Sequence, residues 1–256
     1  MKMIGIFDSG SGGLTVLRAI RDRLASPDVI YFGDIKNAPY GSKSHEELSQ
    51  LTMEAIAFLR SRGARSIVSA CNSVSASLAV SLFDTLEIDA PRLIEMVGPT
   101  VAAFKNSKNR LLLTATPATV KSGLYRSGFK MIGKDIVEVS IPDLAGAIEF
   151  GEDEEVMERK IREAFRAIRP GDFDVLILAC THYPLILAIF QRVLGASLPI
   201  LDPAELVADR AERELWPREA GNSTTHFVIS KDSEHFRNLV ARLFPQTDYT
   251  IEVLTV

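Results

Sequence analysis

The chain lacks the features that mark a membrane, secreted or nucleic-acid-binding protein. None of its 256 residues lies in an apolar run approaching the roughly 18 to 20 residues of a membrane span. One lysine precedes the first apolar run, which meets Asp8 before the apolar segment of a secretion signal has formed, so we expect a cytoplasmic protein. A net charge of −4 without a block of like charges favours neither nucleic acid nor a membrane surface as a partner.

Cysteine is also scarce. The chain has 2 cysteines, Cys71 and Cys180, and no Cys-x-x-Cys pair. In a reducing compartment two cysteines are typically free thiols, and a free cysteine taken alone is usually a small buried apolar residue. A chemical role must therefore be argued from where these two lie. The apolar fraction of 46% is ordinary for a globular protein and predicts a substantial core.

Short apolar runs alternate with longer segments that have helical periodicity. The runs predict strands at Ile4 to Phe7, Val29 to Phe32, Ser66 to Ala70, Leu93 to Met96, Arg110 to Leu113, Ile136 to Val139, Asp174 to Leu178, Pro199 to Leu201 and His226 to Ile229. Helices are predicted at Leu14 to Leu24, Glu46 to Arg62, Ser75 to Thr85, Glu154 to Ala167 and Leu185 to Leu194. This alternation predicts an α/β fold with largely parallel sheets flanked by helices.

Polar clusters follow many of the predicted strands. They are Asp8-Ser9-Gly10, Gly33-Asp34, Cys71-Asn72-Ser73, Thr114-Ala115-Thr116 and Cys180-Thr181-His182. Ligands of parallel sheets bind at the carboxyl ends of the strands, so these clusters predict a site where several helix N-termini converge. Such a site suits an anionic ligand, and the absence of arginine from these loops indicates binding by amides and hydroxyls.

The two cysteine segments repeat one design. Each is an apolar strand that ends in Ala-Cys and two polar residues, at Ile67 to Ser73 and at Ile177 to His182. This repetition predicts two pseudo-symmetric α/β domains, each of which contributes one thiol to a shared cleft. No linker rich in Pro, Gly or Ser separates them, and we place the first domain at 1–95 plus 206–256 and the second at 96–205.

Two thiols facing one cleft suit proton transfer to opposite faces of one carbon, with one as thiolate and the other as thiol. A thiol between a strand and a helix lies at the positive end of the helix, which predicts a lowered pKa for both cysteines. His182 and Asp8 are candidate partners of the thiols, although each can instead cap a helix. Asp8, Cys71, Cys180 and His182 also make up a tetrahedral zinc set, which stays open as an alternative.

Two glycine-containing loops lie near these residues. The loop from Asp8 to Gly13 fits neither the dinucleotide fingerprint nor the Walker pattern, since Leu14 and Thr15 stand where glycines or Gly-Lys are needed. It is better explained as a tight turn that lets backbone approach a ligand, or as a turn only. The segment from Asn37 to Ser42 is either a surface turn or a loop that closes over a small carboxylate.

Seven motifs along nearly the whole chain form a specific combination, although each alone is weak. They are Phe7-Asp8-Ser9-Gly10 with Gly12-Gly13, Gly33-Asp34, Pro39-Tyr40-Gly41, Cys71-Asn72-Ser73, Thr116 to Thr119 with Ser122, Glu149, and Cys180-Thr181-His182-Tyr183-Pro184. Together they resemble the glutamate racemases of the aspartate/glutamate racemase superfamily. This resemblance implies two domains that close on free glutamate without a cofactor or a metal, a D-glutamate product for bacterial peptidoglycan, and a homodimer as a candidate assembly.

The resemblance also implies roles for individual residues. Cys71 matches the base that takes the proton from D-glutamate, and Cys180 the base for L-glutamate. Asp8 and His182 match the residues that assist the first and second thiol. Supporting acidic residues are matched by Asp34 and Glu149, and substrate-holding positions by Ser9, Tyr40, Gly41, Asn72, Ser73, Thr116, Thr119 and Thr181.

Three positions depart from the usual pattern of these racemases. Ser73 replaces threonine, Gly98 stands where many members have glutamate, and Ala115 where they have glycine. Two other functions therefore stay open. One is a related racemase, isomerase or decarboxylase acting on aspartate, hydantoins or maleate, although Cys-Thr-His after the second strand favours glutamate. The other is a two-lobed binding protein without catalytic activity.

Overall fold

A computed structural model of the chain describes residues 3–75, 93–214 and 222–254. The described strands are β1 (Met3–Asp8), β2 (Val29–Gly33), β3 (Ala64–Ser69), β4 (Leu93–Ile94), β5 (Leu111–Ala115), β6 (Ile136–Ser140), β7 (Val175–Ala179), β8 (Ile200–Leu201), β9 (Thr225–Ile229) and β10 (Tyr249–Val253). The described α-helices are α1 (Leu14–Arg23), α2 (His45–Ser61), α3 (Asn72–Ser75), α4 (Val97–Ala103), α5 (Pro117–Ser122), α6 (Leu124–Met131), α7 (Leu144–Glu149), α8 (Glu154–Phe165), α9 (Leu187–Leu194), α10 (Ala204–Glu214) and α11 (Glu234–Leu243). Short 3₁₀ turns lie at Ile35–Asn37, Tyr40–Ser42, Pro170–Asp172 and Tyr183–Ile186.

The strands form two parallel sheets. The first sheet has the order β10-β9-β2-β1-β3-β4, and the second has the order β6-β5-β7-β8. All strand pairs in both sheets are parallel. The block β2-β1-β3-β4 has the same topology as the whole second sheet, because the first strand of each block lies between its second and third strands. The predicted α/β class with two pseudo-symmetric domains is therefore confirmed.

Helices cover both faces of each sheet, which explains why the strands are apolar without alternation. In the first sheet, α1, α10 and α11 pack on one face through Leu17, Val207 and Phe236. Helix α2 covers the other face through Ile56 and Leu59. In the second sheet, α7, α8 and α9 cover one face, and α4 and α6 cover the other. We call the elements packed on the first and second sheets the first and second domain.

The chain crosses between the sheets twice. It leaves the first sheet after Ile94 and enters the second at Leu111, and it returns between Leu201 and Thr225. Each of the nine predicted strands overlaps an observed strand, with shifts at their ends. The predicted helix from Ser75 to Thr85 lies outside the described residues beyond Ser75. Within the described part of the chain, no helix combines the length and the apolar character that a membrane crossing requires.

Several elements were missed by the sequence analysis. They are β10 and helices α4, α5, α6, α7, α10 and α11. Helices α5 and α7 have 6 residues each, which is less than two turns and too short for a clear periodicity. Helix α11 did carry a readable pattern, because Phe236, Leu239 and Val240 lie on one buried stripe.

Candidate active site

The two sheets direct their carboxyl ends at each other. In each domain the first strand lies between the second and third, so a crevice opens where the connections leave the sheet in opposite directions. Asp8 ends β1 and Cys71 follows β3 in the first domain, whereas Thr116 follows β5 and Cys180 follows β7 in the second. The cysteines therefore occupy equivalent places in the two domains.

Hydrogen bonds between the domains bring the predicted residues together. They are Thr181 Oγ1 to Asp8 Oδ1 at 3.2 Å, Ser11 N and Oγ to Glu149 Oε2 at 2.8 and 2.7 Å, Ser73 Oγ to Thr116 Oγ1 at 2.9 Å, and Tyr125 Oη to Asn72 Oδ1 at 2.6 Å. All of these residues are buried. In the structure these strand-end clusters therefore converge on one site, as predicted.

Cys71 is buried beside Ser9 and Asp8. Its side chain is 4% exposed, and Sγ lies 3.8 Å from Ser9 Oγ. Burial and the nearby Asp8 carboxylate together raise the pKa of the Cys71 thiol to about 12, against the smaller lowering effect of the N–H of Val74. The predicted lowering of this pKa by a helix N-terminus is therefore wrong for Cys71, because desolvation outweighs the backbone donor.

Cys180 lies at the head of a chain of buried polar groups. Its Sγ is 4.0 Å from His182 Nδ1, and His182 Nε2 is 2.7 Å from Glu149 Oε2. Burial opposes a charge on His182, but its contacts with Cys180 and Glu149 prevail and raise the His182 pKa well above its usual value. Burial likewise opposes a charge on Glu149, yet His182 and the Ser11 donors lower the pKa of this carboxyl. The pair is therefore an imidazolium and a carboxylate, and the imidazolium faces the thiol.

Asp8 does not cap a helix. Its Oδ2 accepts the N–H of Gly10 at 2.9 Å, and its Oδ1 accepts the hydroxyl of Thr181, while no side chain caps α1. Burial raises the Asp8 pKa, against the charge of His182 and the N–H groups of Gly10 and Gly13. Asp8 therefore links the surroundings of the two thiols. Its charge raises the pKa of Cys71, and its carboxylate is bound by Thr181, the residue after Cys180.

Three hydroxyl groups form a cluster at the seam between the domains. Ser73 Oγ, Thr116 Oγ1 and Thr119 Oγ1 lie 2.9 to 3.5 Å from one another, and all three residues are buried. Thr116 also caps α5 by accepting the N–H of Thr119. Because a hydroxyl can donate or accept, this cluster can turn its protons toward an anionic group.

Asp34 supports the Tyr40 loop and has no hydrogen bond to the thiols. It accepts from Tyr40 Oη at 2.6 Å, from Ser230 Oγ at 2.7 Å and from Asn37 Nδ2 at 2.9 Å. Burial and the Asp34 charge raise the pKa of Tyr40, so its hydroxyl stays protonated and remains a donor. This arrangement holds the segment from Asn37 to Gly41 over the site.

Glycines in the loop after β1 are required by close approach between the domains. A Cβ at Gly10 would lie 2.5 Å from Glu149 Oε2, and one at Gly12 would lie 2.5 Å from His182 Nδ1. Gly41 is similar, since its Cβ would lie 2.8 Å from the Cβ of Thr116. The sequence analysis explained the first loop by backbone approaching a ligand, whereas the structure brings the side chains of the other domain against it.

The structure shows the surroundings of Gly98 and Ala115, two positions that differ from the usual pattern of the resembling racemases. A Cβ at Gly98 would lie 2.6 Å from Glu95 Oε1, and the Glu95 carboxylate accepts the N–H groups of Val97 and Gly98. Glu95 therefore places a carboxylate against position 98, where many of the resembling racemases have a glutamate. Ala115 is fully buried at the end of β5.

Two residues of the site were not assigned by sequence reasoning. Ser11 was quoted in the glycine loop but given no role, although it holds Glu149. Tyr125 binds Asn72 from the other domain, and no feature of the sequence near Tyr125 signals this contact.

Among the described residues, no group of three or more His, Cys, Asp or Glu side chains is arranged to hold a metal ion. The four residues of the zinc alternative therefore do not form such a group.

Comparisons with known proteins identify the family of this chain. The family model described as Asp/Glu/Hydantoin racemase matches residues 13–211, and the chain belongs to this family. It is 35% identical to the glutamate racemase of Lactobacillus helveticus over 257 residues, which cover 97% of this chain and 96% of that protein. The predicted resemblance is thus confirmed.

Solved structures agree as well. The structure of glutamate racemase from Aquifex pyrophilus matches with a TM-score of 0.82 and 31% identity, covering 98% of each chain. A glutamate racemase of Francisella tularensis in complex with D-glutamate matches with a TM-score of 0.85 and 25% identity, covering 99% of this chain and 97% of that one.

Proposed function

We propose that this protein is a cofactor-independent racemase that interconverts L- and D-glutamate. The observation that carries the proposal is the placement of Cys71 and Cys180 at equivalent strand ends of two domains whose polar loops meet. The glutamate racemases that resemble this chain over nearly their whole length support glutamate as the substrate. The D-glutamate complex of the F. tularensis protein supports the same substrate class.

The reaction needs one thiolate and one thiol on opposite faces of the substrate Cα. In the D-to-L direction the Cys71 thiolate takes the Cα proton, so that the C–H bond breaks and an S–H bond forms. The Cys180 thiol then gives its proton to the other face of the carbanion and becomes the thiolate. The reverse reaction uses the same groups in exchanged roles.

Ionisation of Cys71 must be coupled to substrate binding, because burial and Asp8 hold its pKa near 12. The ammonium group of an amino acid supplies the missing positive charge, and a cation beside Asp8 favours the thiolate. Among the described residues, lysine and arginine take no part in the hydrogen bonds of the site. The substrate carboxylates are therefore bound by the hydroxyls of Ser73, Thr116 and Thr119 and by the Asn72 amide, and the hydroxyl donors stabilise the carbanion.

The remaining residues support the two thiols. The His182 imidazolium, held by Glu149 and Ser11, stabilises the Cys180 thiolate or returns a proton to it. Asp8 assists Cys71, and Ser9, Tyr40, Gly41 and Thr181 complete the substrate pocket. We place the protein in the bacterial cytoplasm, where D-glutamate serves peptidoglycan synthesis, with domains at 1–95 plus 206–256 and 96–205 and with a homodimer as its assembly.

Circular dichroism tests this function directly. Purified protein dialysed against EDTA is mixed with L-glutamate, D-glutamate, L-aspartate or D-aspartate in separate samples. We expect both glutamate signals to decay to zero without any added cofactor, while the aspartate signals decay about a hundredfold more slowly, a ratio in the range for two substrates that differ by one methylene. Faster decay of aspartate would favour the related-racemase alternative, and decay of neither would favour the binding protein. Activity lost with EDTA and restored by zinc would contradict the metal-free mechanism.

A further inference from the structure

The fully buried Tyr125 contacts the site across the domain seam. It lies on α6 of the second domain and packs against Phe129, with ring centroids 6.4 Å apart. Its hydroxyl donates to Asn72 Oδ1 in the first domain at 2.6 Å. A buried tyrosine hydroxyl needs a hydrogen-bond partner, and this one finds it on a residue next to Cys71.

The bond determines which way the Asn72 amide is turned. An asparagine side chain has one acceptor end and one donor end, and an amide without strong partners can present either. Burial and the charge of Glu95 raise the pKa of Tyr125 above its usual value, so its hydroxyl is protonated and donates at every pH at which the protein works. In the structure this hydroxyl donates to the amide oxygen at 2.6 Å, so the oxygen of the amide faces Tyr125.

The other end of the amide is then left free. Asn72 Nδ2 is buried and has no hydrogen-bond partner within the described part of the chain, and Asn72 itself is 2% exposed. A buried donor without a partner costs free energy, which a ligand recovers if it supplies an acceptor. Glutamate offers carboxylate oxygens as acceptors, whereas its ammonium group offers only donors.

We propose that Tyr125 is a positioning residue for the racemase reaction, which turns the Asn72 amide so that its N–H₂ binds a substrate carboxylate and rejects the ammonium group. The inference rests on the proposed function. It also gives the second domain a role in substrate binding by Asn72, which belongs to the first domain. The Tyr125 hydroxyl also has a side-chain hydrogen bond with Thr100, and it acts on the substrate site through Asn72.

Kinetics of Tyr125→Phe test the proposal. Loss of the hydroxyl lets the amide turn, and we expect KM for both enantiomers to rise about tenfold while kcat stays within about threefold, as for loss of one buried hydrogen bond. Phe129→Leu is the matched control, because it disturbs the same core of α6 without touching Asn72. It should lower the melting temperature and leave KM at the parent value.

A double-mutant cycle separates positioning from a general structural role. In the Asn72→Ala background, Tyr125→Phe should change KM by less than about twofold, since the amide it turns is gone. Asn72→Asp offers a second test, because its carboxylate still accepts from Tyr125 but has no donor; KM should rise at least as much as in Tyr125→Phe. A parental KM in either Tyr125→Phe or Asn72→Asp, or equal effects of Tyr125→Phe in both backgrounds, overturns the inference. If the parent itself does not racemise glutamate, the proposed function fails first.

Discussion

The two cysteines are the same side chain in unequal surroundings. Cys71 faces an acid, Asp8, whereas Cys180 faces the imidazolium of His182. Burial and Asp8 raise the pKa of Cys71, so this thiol keeps its proton before substrate arrives. The charge of the bound substrate must then favour the Cys71 thiolate, so proton transfer depends on substrate binding.

The two-thiol mechanism predicts where solvent deuterium first appears. In D₂O one thiol removes the substrate proton and the other delivers a solvent-derived deuteron, so product is deuterated while unreacted substrate stays protiated. Proton NMR of the Cα position during the first few per cent of conversion measures this. Early deuterium in recovered substrate, at a rate comparable to that in product, would indicate a single base serving both faces.

Substitution of either thiol should abolish the same reaction. Cys71→Ser and Cys180→Ser should each lower kcat on the order of a thousandfold, because a serine hydroxyl is far too weak an acid to replace a thiol at neutral pH. Melting temperatures close to the parent value would serve as the control for folding. A serine variant within tenfold of the parent would mean that its cysteine is not a base.

The pair of His182 and Glu149 predicts a pH-dependent stability. The folded pKa of His182 is raised, so its contribution to the free energy of unfolding is fully present below its unfolded pKa of about 6.5. The contribution is lost as the pH rises through the higher folded pKa. Glu149→Gln keeps the shape and removes the charge, and the parent should therefore lose its stability advantage over this variant as the pH is raised from 6 to 9.

Urea unfolding of the parent and of Glu149→Gln at pH 6, 7, 8 and 9 provides the measurement. The difference between the two proteins isolates the pair, because the alkaline loss expected from the raised pKa of Cys71 is common to both. A stability difference that stays constant over this range would show that the charge of Glu149 does not hold the proton on His182.

At the scale of elements, the loop after β1 is shaped by the opposite domain. Gly10 passes so close to Glu149, and Gly12 so close to His182, that side chains at these two positions are excluded, and Gly13 in turn lies against Asp8. The loop therefore determines how closely the N-terminus of α1 approaches the residues that follow Cys180. Its three glycines are needed for close contact, since none of them has a positive φ.

Gly12→Ala tests this role of the loop. The added methyl would lie 2.5 Å from His182 Nδ1 and 2.6 Å from Thr181 Oγ1, so we expect His182 to be displaced and kcat to fall by about a hundredfold. Gly171→Ala is the matched control, because its Cβ would meet nothing within 4 Å. If both variants were equally active in the racemisation assay, contact with His182 would not explain the glycine.

At the scale of the whole molecule, the site is enclosed between the two domains. Cys71 and Cys180 are 4% and 5% exposed, and the hydrogen bonds across the seam close over them. Substrate must therefore enter by a separation of the domains, since the thiols, hydroxyls and Asn72 are all buried in the closed form. A ligand that bridges both domains favours closure by its differential affinity.

Thiol alkylation measures this opening. We expect iodoacetamide to modify both cysteines at least about a hundredfold more slowly than a free thiol at pH 8, because the closed form is the dominant one. Saturating glutamate should slow the reaction further, and mass spectrometry of the two cysteine peptides gives each rate. Modification as fast in the presence of glutamate as in its absence would argue against closure on the substrate.

The sequence by itself determined the architecture and the family of this protein. The alternation of apolar runs and helical segments is a local property, so it predicted nine strands and the parallel class. The repeated Ala-Cys strand ends placed one thiol in each domain, and the motifs around them carried the family resemblance. Each of these features spans only a few neighbouring residues, so it can be recognised without knowledge of the packing.

Only the tertiary structure decided how these groups act on each other. Ser11 and Glu149 are 138 residues apart in the chain, and Asn72 and Tyr125 are 53 apart, so no local pattern pairs them. The pKa of Cys71 was predicted in the wrong direction for the same reason. A strand-to-helix turn supplies a positive dipole, but desolvation by burial and the charge of Asp8 are larger, and both depend on packing between residues far apart in the sequence.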